Sequence, residues 1–211
     1  MLPSRKTKNF ARVGADELPD LLRKIAGYGG AAITRLAVKL LAYTFVRVGE
    51  LRGMRWSELK EGGAIWVVPA DRVKGEEAKA LPHVVPMSRQ ARAVVEQLRL
   101  LTGEKALVLD SPLRTGHPLS ENTFLFALYR LGYRGRMTAH GFRALASTVL
   151  NEQSGFEHDV IERQLAHQET DAVRAAYNRA QYLDARRKLM QWWGDWLESQ
   201  RKHVGPPHAS A

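Results

Sequence analysis

Apolar residues recur at helical spacing through most of the chain. The strongest stretch is "AAITRLAVKLLAYTFV", where Ile33, Leu36, Ala37, Leu40, Leu41 and Tyr43 or Thr44 fall on one face at about 3.6-residue spacing. This predicts a buried helix. A shorter helix is expected over Asp16 to Ala26, stopped by the glycines between Gly27 and Gly30. Two β-branched runs, "AIWVVP" and "PHVVP", each end in proline and flank the polar segment "ADRVKGEEAKAL", which predicts a hairpin or small sheet with a mobile tip. Ser88 can cap a helix reaching Leu101, a brief apolar run "ALVL" follows, and Ser120 with Thr123 opens a helix to Leu131. In "TAHGFRALAST", Thr138 can cap, and Phe142, Leu145 and Ala146 repeat at helical spacing. "DVIERQLAH" and "DAVRAAYNRA" come next, then a long helix from Leu183 to Gln200 with a stripe of Leu189, Trp192, Trp193 and Trp196. The pattern is mainly α with a small antiparallel β-sheet, an α+β chain. Residues 1–15 are basic and without pattern, read as a tail or the end of a linker, and residues 201–211 read as a flexible C-terminal tail.

Composition narrows what such a chain can do. At 211 residues it is one ordinary domain or two small ones, and a hydrophobic fraction of 45% supports a real core. It has no cysteine, which excludes disulfides and thiolate metal sites and fits a reducing compartment. No run approaches transmembrane length, and the start shows no signal-peptide pattern. The 32 Lys and Arg against 22 Asp and Glu give a net charge of +10. Such a surface is drawn to polyanions, nucleic acid first and anionic membrane second. A guanidinium fork matches two phosphate oxygens, so arginines favour phosphate.

Several residues do not belong to a core. Arg47 closes an apolar helix and lies three positions before Glu50, so the two can meet if a helical turn persists. Taken alone, Arg47 would serve the helix dipole. Lys74, with Lys79 beyond it, sits in the hairpin tip, where lysines are ordinarily just solvated. His140 and Arg143 share one face of a helix start. His167 ends "RQLAH", and Tyr177 stands between Arg174 and Arg179. Singly, each has an ordinary structural explanation: a histidine at a helix start bonds the backbone, and a tyrosine beside arginines packs or stacks.

Their order along the chain is more telling. Arg, Lys, His-x-x-Arg, His and Tyr in this context resembles the tyrosine recombinase (phage integrase) family, and most of all the integrases of prophages and genomic islands. The segments that carry the resemblance are "FVRVGELRGMRWSEL", "HVVPMSRQA", "TAHGFRALASTVLNE", "RQLAH" and "VRAAYNRAQYLDARRKLMQWW", spread over residues 16–200. The chain departs from the family in two places. Val48 stands where relatives commonly carry proline, and the hairpin holds the extra residues "GEEAKAL", which makes Lys79 an alternative to Lys74.

The resemblance implies a tyrosine recombinase catalytic-domain fold over residues 16–200 and a site-specific DNA recombinase that integrates or excises a mobile element. It implies cleavage and rejoining of DNA strands through a 3′-phosphotyrosyl intermediate, with no metal and no cofactor. Tyr177 would be the nucleophile; Arg47 and Arg143 the phosphate clamp; His140 and His167 donors that also handle protons, His140 more so as general base. Lys74 would protonate the leaving 5′-oxygen, and Glu50 would orient an arginine. Charge building on phosphate oxygens without Mg²⁺ needs such cations from the protein. Because the phosphotyrosyl ester conserves the bond, resealing needs no ATP. Partners implied are double-stranded DNA attachment sites, a homotetramer on DNA, and accessory DNA-bending or directionality proteins; membrane is not among them. The location implied is the cytoplasm of a bacterial host. The C-terminal tryptophan stripe would pack within the chain or dock on a neighbouring protomer. Family members carry DNA-binding domains ahead of the catalytic one, and the roughly thirty residues before the first buried helix are too few for one. The expectation is a catalytic domain without them. Two alternatives share parts of this pattern: a type IB topoisomerase or telomere resolvase, and a basic DNA-binding protein without catalysis.

Binding of duplex DNA is expected to weaken steeply with salt. If about six phosphates are contacted, affinity falls by roughly 10³-fold between about 50 and 200 mM salt. Fluorescence anisotropy across that range checks this, and a flat response contradicts binding through backbone phosphates.

Overall fold

The computed structural model describes residues 11–14, 16–73, 82–166 and 182–203. Eight α-helices and five short strands are assigned among them. They are α1 (Leu18–Ala26), α2 (Ala32–Thr44), α3 (Val48–Arg52), β1 (Leu59–Lys60), β2 (Ile65–Val68), β3 (His83–Pro86), α4 (Arg89–Thr102), β4 (Asp110–Ser111), β5 (Arg114–Pro118), α5 (Glu121–Arg130), α6 (Gly141–Gln153), α7 (His158–Gln164) and α8 (Leu183–Lys202). The expected class, mainly helical with a small antiparallel sheet, is what the structure shows.

Helix α2 is the hub. It is buried on nearly every side, with Leu36, Ala37, Leu40 and Leu41 at most 3% exposed, and it packs on α1, α4, α5, α6 and α8. Arg35, Lys39 and Tyr43 share its one half-buried face, and the remaining apolar faces sit inside the bundle. It ends at Phe45, which adopts the left-handed conformation (φ 42°). That turn is unusual for a bulky residue, and burial of its ring edge-on against Trp193, centroids 5.7 Å apart, holds it. The chain therefore breaks two residues before Arg47, and Arg47 begins α3 as its N-cap. It does not end α2, so the reading of Arg47 as a C-terminal dipole partner is corrected.

The hairpin is present: β2 and β3 pair antiparallel with Trp66 opposite Val85 and Val68 opposite His83. A two-residue strand, β1, adds to β2. The small β4–β5 hairpin was not foreseen. In the run "ALVL", Leu107, Val108 and Leu109 are buried, the last two in a turn: Val108 N donates to Met54 O at 2.9 Å, and Leu107 bridges Arg55. Ser88 and Ser120 cap α4 and α5, accepting from Ala91 N and Asn122 N. Thr138 Oγ1 accepts from Gly141 N at 3.0 Å, so it serves the α6 terminus.

Two contacts place α6. Thr138 N donates to Ala11 O at 3.2 Å, and Val13 is 2% exposed, so residues 11–13 lie against the start of α6. Gly141 makes this approach possible, because a Cβ there would come within 2.6 Å of the Ala11 carbonyl oxygen.

Helix α8 packs within its own chain. Leu189, Met190 and Trp193 are fully buried, and Trp193 Nε1 donates to Ala42 O at 2.9 Å. Trp192 and Trp196 are partly buried and stack in a row with Trp193. This bears out packing within the chain for most of the stripe. No helix among the described residues is long and apolar enough to cross a membrane.

Truncating Trp193 to alanine is expected to lower unfolding free energy by about 3–5 kcal/mol. Urea denaturation should show that loss equally at low and high protein concentration. A loss that vanishes on dilution would mean that α8 packs on another molecule.

Candidate active site

The cleft of interest lies between α3, the start of α5 and the start of α6. It has a volume of about 550 Å³, and its lining includes Arg47, Gly49, Glu50, Arg72, Asn122 and His140. Each side chain arrives there for a local reason. The turn at Phe45 starts α3 at Arg47, and Glu50, three positions on, closes back onto it. Glu50 Oε1 accepts from Arg47 Nη1 at 2.9 Å, and Oε2 lies 3.4 Å from Arg47 N. The pairing expected from the spacing of Arg47 and Glu50 is therefore made. Glu50 is 2% exposed. Burial raises its pKa, but His83 and Arg47 outweigh this and hold it below the ordinary value.

Arg143 sits in the first turn of α6, three positions after His140, which stands at the N-cap position of that helix and borders the cleft. The Arg143 guanidinium is buried and lies behind the cleft wall. It donates to Leu165 O through Nη2 and to Phe45 O at 3.5 Å through Nη1. Burial, then repulsion from Arg47, lowers its pKa to about 10. Arg47 Nη2 is 3.4 Å from the carbonyl of Ala166, the neighbour of Leu165. The two arginines thus converge on successive carbonyls at the end of α7, immediately before His167.

Of the residues singled out from sequence, the structure brings together Arg47, Glu50, His140 and Arg143. Lys74, Lys79, His167 and Tyr177 lie outside the described residues, as does the segment "DAVRAAYNRA". Arg72, two positions before Lys74, borders the cleft. Its Nη2 pairs with Glu58 at 2.5 Å, and Glu58 also accepts from Trp66 Nε1 at 3.0 Å. Gly53 leaves room for Arg72, since a Cβ there would lie 2.5 Å from Nη1.

Sequence reasoning missed the buried polar residues behind the cleft. His83 is 5% exposed. Its Nε2 is 3.2 Å from the Gln164 carbonyl and its Nδ1 is 3.6 Å from Glu50 Oε2. Burial lowers its pKa; Glu50 opposes this, while Arg186 and Arg143 reinforce it. The available signal was a histidine at an inward position of "PHVVP". Arg186 was missed too, although it falls on the buried stripe of α8 with Leu189, Met190, Trp193 and Leu197.

A helical bundle with this small sheet, and with an arginine pair fed from α3 and α6, has the fold of a tyrosine recombinase catalytic domain. The chain belongs to the phage integrase family, whose model matches residues 11–183. It is 38% identical over 214 residues to the integrase of Enterobacteria phage P4, covering 95% of this chain and 48% of that protein. It is 37% identical over 196 residues to the prophage integrase IntS of Escherichia coli K12, covering 92% of this chain and 50% of that protein. The chain thus spans about half the length of these relatives. Among solved structures, a lambda integrase tetramer bound to a Holliday junction superposes with a TM-score of 0.58 at 18% identity, covering 80% of this chain and 50% of that one.

Acid should destabilise the fold in two stages. The unfolded chain protonates His83 as pH falls through about 6.5 while the folded one resists, so stability present above that pH is lost below it. Glu50, with its folded pKa below 4.5, adds a second loss as pH falls further. Urea midpoints from pH 8 to pH 4 check this: His83→Gln should remove the first stage and shrink the second, because His83 is the foremost of the groups that lower the Glu50 pKa. An unchanged profile would show that His83 titrates freely.

Proposed function

We propose that this chain is the strand-cleaving and rejoining domain of a site-specific DNA recombinase that integrates or excises a mobile element. Its partner is double-stranded DNA bearing an attachment site. Exchange between two duplexes takes four active sites, hence a homotetramer on DNA, with accessory bending or directionality proteins assisting. A bacterial cytoplasm is the setting. The observation that carries this reading is the convergence of Arg47 and Arg143 beside His140, immediately before His167.

In this reading the scissile phosphate enters the cleft and takes the donors of Arg47 and Arg143, a phosphate oxygen being a stronger acceptor than the carbonyls of Leu165 and Ala166. Glu50 keeps Arg47 aimed. The Tyr177 phenol oxygen attacks phosphorus, and His140 accepts its proton, since an ordinary phenol with pKa near 10 needs a base or local positive charge at neutral pH. The bond from phosphorus to the 5′-oxygen breaks, and Lys74, or Lys79 in its place, gives that oxygen a proton. His140 and His167 hold the equatorial oxygens together with the arginines. The product is a 3′-phosphotyrosyl ester and a free 5′-hydroxyl. A second 5′-hydroxyl reverses the same steps and reseals the strand. No step uses a metal. Relatives named integrase support site exchange over the relaxation expected of a type IB topoisomerase, and the convergent arginines support catalysis over simple binding.

A nicked suicide duplex carrying the attachment site, incubated in EDTA and then denatured, is expected to yield a protein–DNA adduct. Tyr177→Phe should abolish it, and Arg143→Gln should slow its formation by roughly 10²–10³-fold. An adduct that survives Tyr177→Phe, or cleavage indifferent to Arg143, would contradict the reading.

A further inference from the structure

One buried cation behind the cleft has no part in the chemistry above. Arg186, in the first turn of α8, is 3% exposed. Its Nε donates to Gln164 Oε1 at 3.0 Å, and its Nη2 donates to the Val84 carbonyl. Among the described residues its partners are neutral. A guanidinium is costly to bury without a carboxylate, and a leucine would continue the stripe of Leu189, Met190, Trp193 and Leu197 at no such cost. Packing alone does not call for an arginine here.

Its contacts join three pieces of chain. Gln164 ends α7, three residues before His167. Val84 lies in β3, directly after the stretch 74–81 and next to His83. Arg186 itself follows Tyr177 at the start of α8. Gln164 and Arg186 are 22 residues apart, and both His167 and Tyr177 fall between them. Gln164 is held from both sides, its carbonyl facing His83 Nε2 at 3.2 Å and its side chain bonded by Arg186. Gln164 Nε2 and His83 Nδ1 are buried without hydrogen-bond partners among the described residues.

We propose that Arg186 is a positioning residue for strand cleavage. By bonding Gln164 and Val84 at once, it ties both ends of the stretch bearing His167 and Tyr177 to the strand whose His83 faces Glu50, the partner of Arg47. Arg186 thereby fixes the two described flanks of the nucleophile's stretch, Gln164 and the start of α8, against the strand beside the arginine pair. This rests on the reading of Tyr177 as nucleophile. The two acceptors lie on different elements, and a planar fork reaches both where a single ammonium reaches one. A nucleophile displaced by about 1 Å can lose roughly 10² in rate.

The test compares the full chain with Arg186→Lys and Arg186→Gln by hydrogen–deuterium exchange and by single-turnover cleavage of the suicide duplex. Both variants should show faster exchange confined to peptides within residues 167–181, with α2 and α4 unchanged. Both should cleave about 10- to 100-fold more slowly, with duplex affinity within about twofold of the parent. The deficit should persist when sulfur replaces the bridging 5′-oxygen, because a thiolate leaves without a proton and only a general-acid defect is then relieved. Full cleavage by Arg186→Lys would overturn the proposal, since charge alone would then suffice. Rescue by sulfur would overturn it, and so would exchange that is unchanged or that rises evenly through α2 and α4. If the parent chain forms no adduct, the Tyr177 reading falls. The exchange arm then decides the tie on its own: a rise confined to 167–181 upholds it, and any other pattern overturns it.

Discussion

The arrangement depends on how buried guanidinium groups are satisfied. Arg47 lines the cleft, Arg143 and Arg186 are buried beside it, and Glu50 pairs directly with Arg47. Glu50 is nearly sealed from solvent and fixes one face of Arg47. The remaining donors go to carbonyls at Phe45, Val84, Leu165 and Ala166. A carbonyl orients a guanidinium without neutralising it, so the site retains net positive charge in a poorly solvated place. The lowered pKa of Arg143 records that strain, caused first by burial and then by Arg47. An anion shared between these side chains would relieve it, which is the electrostatic argument for the phosphodiester proposed to bind here.

The fold supports the cations from several directions. The turn at Phe45, held by Trp193, sends the chain into α3 and presents a carbonyl to Arg143. Residues 11–13 lie on α6 at Gly141, next to His140. Arg72 with Glu58 secures one root of the hairpin, and His83 secures the other. These contacts join residues far apart in sequence, so the site is a product of tertiary packing and not of any one helix.

The helices were legible because burial repeats at their period. Apolar spacing located α1, α2 and α8, and serine caps located α4 and α5. The pairing of Arg47 with Glu50 was also readable, but the start of α3 was not: Phe45 takes a conformation usually left to glycine, and its reason is the distant Trp193. The β4–β5 hairpin is short and largely exposed, so it leaves little alternation to detect. His83, Gln164 and Arg186 were invisible as a group because only folding brings β3, α7 and α8 together. Arg186 even occupies an apolar stripe, where an arginine is the departure that pattern reading should have flagged. Lys74, Lys79, His167 and Tyr177 owe their proposed roles to family resemblance, since spacing alone gives a lysine in a turn or a tyrosine between arginines no chemistry.

The central claim is that Arg47 and Arg143 neutralise the charge of one scissile phosphate. Cleavage of a duplex whose scissile linkage is an uncharged methylphosphonate tests it most directly. If the claim holds, Arg47→Ala and Arg143→Ala, crippled on ordinary DNA, should cleave the neutral linkage at rates near that of the parent chain. If each variant keeps its full deficit on the neutral linkage, the arginines act elsewhere and the account of the cleft is wrong.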